Sequence, residues 1–370
     1  MRVIFAGGGT AGHINPAISI ADYAKSRDEN FEALFIGTKS GMETRLVPSA
    51  GYDIKYIDIE GFDRRHLLKN ISVVKKLILS RRDCAEIIRD FKPDCIVCTG
   101  GYVSGPVAMA AKDAGVKSLI HEQNVYPGLT VKGAEKYVTY LALSFEETIN
   151  HMKHKDKCVV TGNPIRKEIL EADKQTSREK LGIKKPFVMI FGGSLGADKI
   201  NDTVIDILDR INAEQEIELL FGTGVRNYDK VLETIAAKKI TVGENVKITA
   251  YIENMADYMA AADVVVSRAG AITVSEIAAL GKPSILIPSP NVVRNHQEQN
   301  AREFEANNAA AVILESELTS EKLYKKMMEM IQNEAELKVM SANLQKIART
   351  DALERIYELM IKMSKGNTGK

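Results

Sequence analysis

One pattern occurs twice in this chain and leaves few folds open to it. Arg2-Val-Ile-Phe-Ala6 is an apolar run of strand character, Gly7-Gly-Gly-Thr-Ala-Gly12 is a glycine-rich turn, and 16–24 has helical spacing. After Lys184-Lys-Pro186 the order returns: Phe187-Val-Met-Ile-Phe191, then Gly192-Gly-Ser-Leu-Gly-Ala197, then a helix over 198–211. Further strands are predicted at 31–36, 54–57, 95–98, 117–120, 140–143 and 158–160, and in the second part at 218–221, 246–249, 263–266, 284–287 and 311–314. Strands alternating with helices on this spacing make parallel sheets covered on both faces. The expected fold is α/β, with two Rossmann-like doubly wound domains separated by a cleft. The join is expected near Gly162-Asn-Pro-Ile-Arg166, giving domains over 1–163 and 164–347. Two or three amphipathic helices are expected over 320–365, the last of them (about 348–365) packing back on the first domain.

A length of 370 residues supports two cores, and 45% apolar with 27% charged residues fits a soluble globular protein. A net charge of +1 argues against a nucleic-acid partner. No apolar run reaches the 18 or so residues of a membrane span, and Met1-Arg-Val-Ile-Phe-Ala reaches glycine without a leader pattern, so a cytoplasmic protein is expected. Cys95-Ile-Val-Cys98 has redox spacing but lies in an apolar strand, where positions three apart face opposite ways, so reduced core thiols are expected. No two of the six histidines share metal-ligand spacing with a third partner, and no Asp-x-Asp pair occurs. The expected site holds no metal and no tightly bound cofactor.

Several loops sit where doubly wound folds bind ligands, just past strand ends. In Ser267-Arg-Ala-Gly-Ala-Ile-Thr-Val-Ser-Glu-Ile277, small residues let a ligand approach the backbone, and a new helix offers its amides to phosphate. Glu276, one turn in, suits a sugar diol; an ordinary strand-to-helix turn would read the same. Gly7 to Gly12 matches G-x-G-x-x-G, yet the acid that should close the second strand is missing, which disfavours a dinucleotide. His13 follows and can take a proton from a hydroxyl, or simply cap the helix. Gly192-Gly-Ser194 and Gly100-Gly-Tyr-Val-Ser-Gly-Pro106 are further anion-binding turns. His121-Glu-Gln-Asn124 and Arg294-Asn-His-Gln-Glu-Gln-Asn300 are dense in groups that read sugar hydroxyls, or are solvated polar segments. Over 62–82, Arg64, Arg65, Lys69, Lys75, Lys76, Arg81 and Arg82 face one acid, Asp63, with Leu67, Leu68, Ile71, Val74, Leu77 and Ile78 at helical spacing. Such a segment rests on an anionic membrane surface, or packs on its own domain as a charge-rimmed helix.

Together, GGGTAGHINPA, GGYVSGP, HEQN, GNPIR, GGSLGA, SRAGAITVSEI and HQEQNA resemble, in order and over nearly the whole chain, the MurG family of bacterial peptidoglycan glycosyltransferases. The resemblance implies a GT-B fold and inverting transfer of GlcNAc from UDP-GlcNAc to the muramyl 4-hydroxyl of undecaprenyl-pyrophosphoryl-MurNAc-pentapeptide, converting lipid I to lipid II. It implies UDP-GlcNAc contacts at Thr10, Ala11, Gly12, Asn124, Arg166, Ser194, Ile252, Ala271, Ile272, Thr273, Val274, Ser275, Glu276 and Gln297. Ile252 would set its backbone against uracil, Glu276 would hold the ribose, Ser194 and 271–273 the diphosphate, and Asn124 with Gln297 the sugar. Gly9, Thr10, Gly101, Tyr102 and Ser104 would receive the acceptor diphosphate. His13, with Glu122 as the other candidate, would act as the base. The 62–82 segment would meet the inner leaflet, making the protein peripheral at the cytoplasmic face. Leu195 departs from members that carry glutamine after the serine, which leaves that donor contact to the backbone. The same architecture also serves diacylglycerol glycosyltransferases and sugar-nucleotide epimerases; HEQN with HQEQNA leans towards the cell-wall enzyme.

Overall fold

The computed structural model describes residues 1–61 and 70–365. The chain divides into two units, one of Met1–Ile165 joined by the residues from Arg349 onward, the other of Arg166–Ala348. The first holds β1 (Arg2–Gly7), β2 (Glu32–Gly37), β3 (Asp53–Tyr56), β4 (Cys95–Gly100), β5 (Ser118–Glu122), β6 (Tyr140–Leu143) and β7 (Cys158–Val160) in the parallel order β3-β2-β1-β4-β5-β6-β7. The second holds β8 (Phe187–Phe191), β9 (Glu218–Gly222), β10 (Val246–Thr249), β11 (Val264–Ser267), β12 (Ser284–Leu286) and β13 (Ala311–Val312) in the parallel order β10-β9-β8-β11-β12-β13. In each sheet the order in which strands are added changes direction beside the first strand. Both switch points, β1/β4 and β8/β11, therefore carry a glycine turn at their carboxyl ends, where such folds bind ligands.

The central strands are uninterrupted apolar runs because helices cover both faces. Val3, Phe5, Cys95, Val97 and Leu119 face α1 (Ala11–Arg27) and the C-terminal helix Ala352–Lys365, while Ile4, Ala6, Ile96, Cys98 and Ile120 face the other way, against α4 (Ser104–Asp113). Cys95 and Cys98 thus lie in different cores as free thiols, each pushed up to about 12 by burial.

Two helix boundaries differ from the sequence expectation. The sequence predicts a helix from Pro16, but α1 begins at Ala11 with Thr10 as an extended cap, and Pro16 lies inside it. The carbonyl that Pro16 leaves without a donor is that of Gly12, in the first turn. This places His13 on the helix. The stretch 198–211 is two helices, Asp198–Ile205 and Leu208–Glu214. Within the basic stretch, α3 (Asn70–Phe91) is described, whereas Phe62, Arg64, Arg65 and Lys69 lie outside the described residues. No helix among the described residues is long and apolar enough to cross a membrane.

Candidate active site

In the first unit the register of β1 on β4 slips between Ala6 and Gly7, so that Gly7 pairs with Gly100 and the two glycine turns leave the sheet side by side. Close approach explains these glycines: a Cβ on Gly101 would lie 2.3 Å from the Gly8 carbonyl oxygen. His13 folds back over its own turn, with Nδ1 3.1 Å from Gly8 O and 3.3 Å from Thr10 Oγ1. A carbonyl only accepts, so in the neutral ring Nδ1 carries the proton and Nε2 the lone pair, a tautomer assigned from these partners. The ring lies against Gly100 (φ 105), where a Cβ would stand 2.7 Å from His13 Cδ2. The ring of Tyr102 lies beside Gly9 and Gly61, 3.5 and 3.6 Å from where their Cβ atoms would be.

Two residues expected to receive the acceptor diphosphate are committed elsewhere. The buried Ser104 hydroxyl lies 2.8 Å from Gly100 O and 3.1 Å from Ala6 O and accepts from Gly100 N–H at 3.1 Å, so it ties the turn to β1. Gly9 N–H donates to Glu43 Oε2 at 3.0 Å. Sequence reasoning does not find Glu43, at the start of α2 (Glu43–Ser49), because nothing local marks it as the partner of Gly9, 34 residues earlier.

Most of the His121-Glu-Gln-Asn124 run faces inward rather than towards a sugar. His121 is fully buried, with Nε2 donating to Gly162 O at 2.9 Å and Nδ1 accepting from Gln123 Nε2 at 3.0 Å. Burial lowers its pKa to about 4. Gln123 also bonds Thr99 O, and Asn163 bonds both Gln123 O and the Ser144 hydroxyl, so the network fastens the strand ends to Gly162 and Asn163. Glu122 is buried too. Its Oε1 accepts from the backbone and side-chain amides of Asn124 at 2.9 and 3.1 Å, and its Oε2 from Gly128 N–H at 2.7 Å. Burial raises its pKa, while those amides oppose the rise. With both oxygens taken, Glu122 shapes the loop that carries Asn124.

In the second unit the helix Ala271–Ala279 starts on Gly270 with no acidic residue in its first turn, leaving the positive end of its dipole uncompensated there. Ala271, Ile272, Thr273, Val274 and Ser275 form that turn, and Glu276 follows, its side chain 7% exposed. Glu276 Oε1 accepts from Arg166 Nε at 3.2 Å and Nη2 at 3.1 Å. Burial raises the Glu276 pKa, and the guanidinium opposes the rise. Ser194 is exposed on the turn after β8, its carbonyl accepting from Val225 N–H at 3.2 Å. That turn meets the one after β9 so closely that a Cβ on Gly196 would lie 2.0 Å from Thr223 O. Ile252 is buried against Gly222, whereas Tyr251 beside it is half exposed. Gln297, on the helix His296–Ala306, accepts from Ser289 N–H at 2.9 Å. Arg268, also not singled out in the sequence, donates to Ile287 O and Pro288 O and pairs with Glu315, fixing the loop that leads to Gln297. Among the described residues, no group of three His, Cys, Asp or Glu could hold a metal ion.

Each unit thus gathers its candidate residues on one sheet edge: Gly9 to His13, Gly101, Tyr102, Glu122 and Asn124 in the first, Arg166, Ser194, Ile252, 271–276 and Gln297 in the second. Known proteins resemble this chain over nearly its whole length. Residues 3–143 match the glycosyltransferase family 28 N-terminal domain and residues 187–356 its C-terminal domain. The chain is 46% identical over 362 residues to a UDP-N-acetylglucosamine–N-acetylmuramyl-(pentapeptide) pyrophosphoryl-undecaprenol N-acetylglucosamine transferase of a Thermoanaerobacter species, covering 97% of this chain and 99% of that one. It is 47% identical, over 97% of both chains, to the enzyme of that name from Acetivibrio thermocellus. Among solved structures it resembles Acinetobacter baumannii MurG (24% identity, TM-score 0.78, 98% and 99% coverage) and, in fold alone, Neisseria meningitidis UDP-GlcNAc 2-epimerase (15% identity, TM-score 0.66, 98% and 100% coverage). With two GT-B sheets and relatives this similar along its length, the chain belongs to the MurG family of glycosyltransferases.

Proposed function

We infer that this protein transfers GlcNAc from UDP-GlcNAc to the 4-hydroxyl of MurNAc in undecaprenyl-pyrophosphoryl-MurNAc-pentapeptide, making lipid II from lipid I in peptidoglycan synthesis. The observation that carries this is 46–47% identity along the chain to enzymes of that name. UDP-GlcNAc is the donor substrate. The second unit holds it, with the ribose diol on Glu276, the diphosphate at Ser194 and the start of the helix Ala271–Ala279, and uracil against the Ile252 backbone. Glu276 starts bound to Arg166. An incoming diol replaces that bond and leaves the guanidinium beside the diphosphate, which is the part we assign to Arg166. Gln297 and Asn124 read the sugar.

The first unit holds the acceptor beside Thr10, Gly101 and Tyr102. His13 Nε2 takes the proton of the muramyl 4-hydroxyl as that oxygen bonds to the anomeric carbon. The bond from that carbon to the β-phosphate oxygen breaks, and UDP leaves with the electron pair. Attack opposite the leaving group inverts the anomeric centre. Amides at a helix start and the Ser194 hydroxyl are suited to the charge that accumulates on the departing diphosphate.

We place the protein at the cytoplasmic face of the membrane as a peripheral protein. The support is α3, where Lys75, Ile78, Leu79 and Arg82 share an exposed face, Ile78 being 66% and Leu79 50% exposed. Two apolar side chains between two cations suit an anionic lipid surface. The reaction is tested by incubation with UDP-GlcNAc and a lipid I analogue. The expected product is heavier by one N-acetylhexosamine; UDP release or sugar epimerisation without that product refutes the reading.

A further inference from the structure

Glu43 is fully buried in the first unit, in contact with both the glycine turn and the end of β2. Its Oε2 accepts from Gly9 N–H at 3.0 Å, and its Oε1 from Thr38 N–H at 2.9 Å and Thr38 Oγ1 at 2.8 Å. Glycines make the room for it. A Cβ on Gly8 would lie 2.8 Å from Oε1, one on Gly41 1.9 Å from Oε2, and one on Gly37 2.6 Å from Cγ. A glycine turn after the first strand is a ready anion site. Here a carboxylate of the chain itself occupies it and takes the Gly9 amide.

The consequence runs along the turn. Gly8, one residue before the held amide, supplies the carbonyl to which His13 Nδ1 donates at 3.1 Å. That bond sets the ring orientation and leaves Nε2 as the accepting nitrogen. We propose that Glu43 is a positioning residue for transfer: an internal anion that locks the turn 7–12, keeps phosphate off the Gly9 amide, and so holds His13 in its working orientation. The proposal rests on the reading of His13 as the base and of the first unit as the acceptor side.

Glu43→Gln is close to isosteric, but its one oxygen cannot serve both the Thr38 donors and Gly9, and its NH2 meets a donor on the other side. Loosening a base from its orientation costs turnover steeply, so kcat should fall about tenfold or more. UDP-GlcNAc affinity, carried mainly by the ribose and diphosphate contacts of the second unit, should stay within about twofold. The decisive comparison is a double-mutant cycle with His13→Ala. If Glu43 acts through His13, Glu43→Gln costs little once the imidazole is gone. Equal losses on both backgrounds, or wild-type turnover in Glu43→Gln, overturn the proposal. Hydrogen exchange adds a readout that needs no catalysis: amides over 7–13 should be protected in the wild type and lose protection in Glu43→Gln, with 187–197 unchanged, and unaltered exchange over 7–13 also overturns it. If Glu43→Gln fails to bind UDP-GlcNAc, Glu43→Asp takes its place, since it keeps the charge and is one methylene too short to span both partners. A wild-type protein that leaves lipid I unglycosylated refutes the functional reading instead, and the exchange result still decides whether Glu43 holds the turn.

Discussion

Two histidines in this protein show how far side-chain chemistry depends on surroundings. His13 stands at a switch point with one nitrogen fixed on Gly8 O, the arrangement a general base needs. His13→Ala should lower kcat about 10²-fold or more while isothermal titration with UDP-GlcNAc gives an unchanged affinity. Near-normal turnover would remove His13 from the mechanism. His121 has the same side chain but lies in the interior, with its pKa lowered to about 4 by burial. Between about pH 4 and 6.5 the unfolded chain binds a proton there that the folded chain does not. Stability from this residue is therefore complete above about 6.5 and lost as pH falls towards 4, a change on the order of 3 kcal/mol. Thermal melts at pH 7 and pH 5 should show a larger drop in Tm for the wild type than for His121→Gln. Equal drops would mean that His121 does not titrate in this way. Nothing in the order of residues separates these two histidines. His13 comes after the turn that leaves β1 and His121 near the end of β5, and the tertiary contacts of Gly100 and Gly162 decide which ring is buried.

At the scale of elements, the strands were legible because apolar runs such as Phe187-Val-Met-Ile-Phe191 are buried on both faces, and that requirement is written locally. The start of α1 was not, because Pro16 satisfies a start rule that Thr10 and the first-turn glycine override. Of the candidate site, the glycine turns and Glu276 were visible in the sequence, whereas Glu43, Ser104 and Arg268 take their places from partners far along the chain. The basic helix is a mixed case. Its charges were visible, but Lys76 bonds Asp58 and Glu60, and Arg81 pairs with Asp113, so those cations serve the fold. The exposed pair Ile78 and Leu79 offers the contact those cations cannot. Replacing both by glutamate should weaken binding to phosphatidylglycerol vesicles by at least about tenfold, since it removes apolar burial and adds like charge. Reversing Lys76 alone should reduce binding less than reversing Lys75. Vesicle sedimentation compares the variants, and full binding by the Ile78/Leu79 double variant would return α3 to an ordinary surface helix.

For the whole molecule, a strand order built twice explains why one chain carries a glycine turn at each switch point, and its path explains how the first unit is completed. The chain leaves that unit after Ile165, builds the second, and returns at Arg349. The returning helix Ala352–Lys365 buries Ile356, Leu359, Met360 and Met363 in the core made by Val3, Phe5, Ile14 and Ile20. Burying a side chain of this size stabilises by about 1.5–3 kcal/mol, so four contribute on the order of 8 kcal/mol. That is comparable to the whole stability of a typical domain. The first unit should therefore depend on the last residues of the chain, although the second unit is built in between. A chain ending at Ala348 should lose the cooperative melting of its first unit and keep that of the second, along with UDP-GlcNAc binding. Met360→Ala in the full chain should lower only the first unit's transition, by about 2–5 kcal/mol. Calorimetry with and without UDP-GlcNAc assigns the transitions, because the donor raises the melting of the unit that binds it. A truncated chain whose first unit melts as it does in the intact protein would show that β1 and α1 close their core without the returning helix.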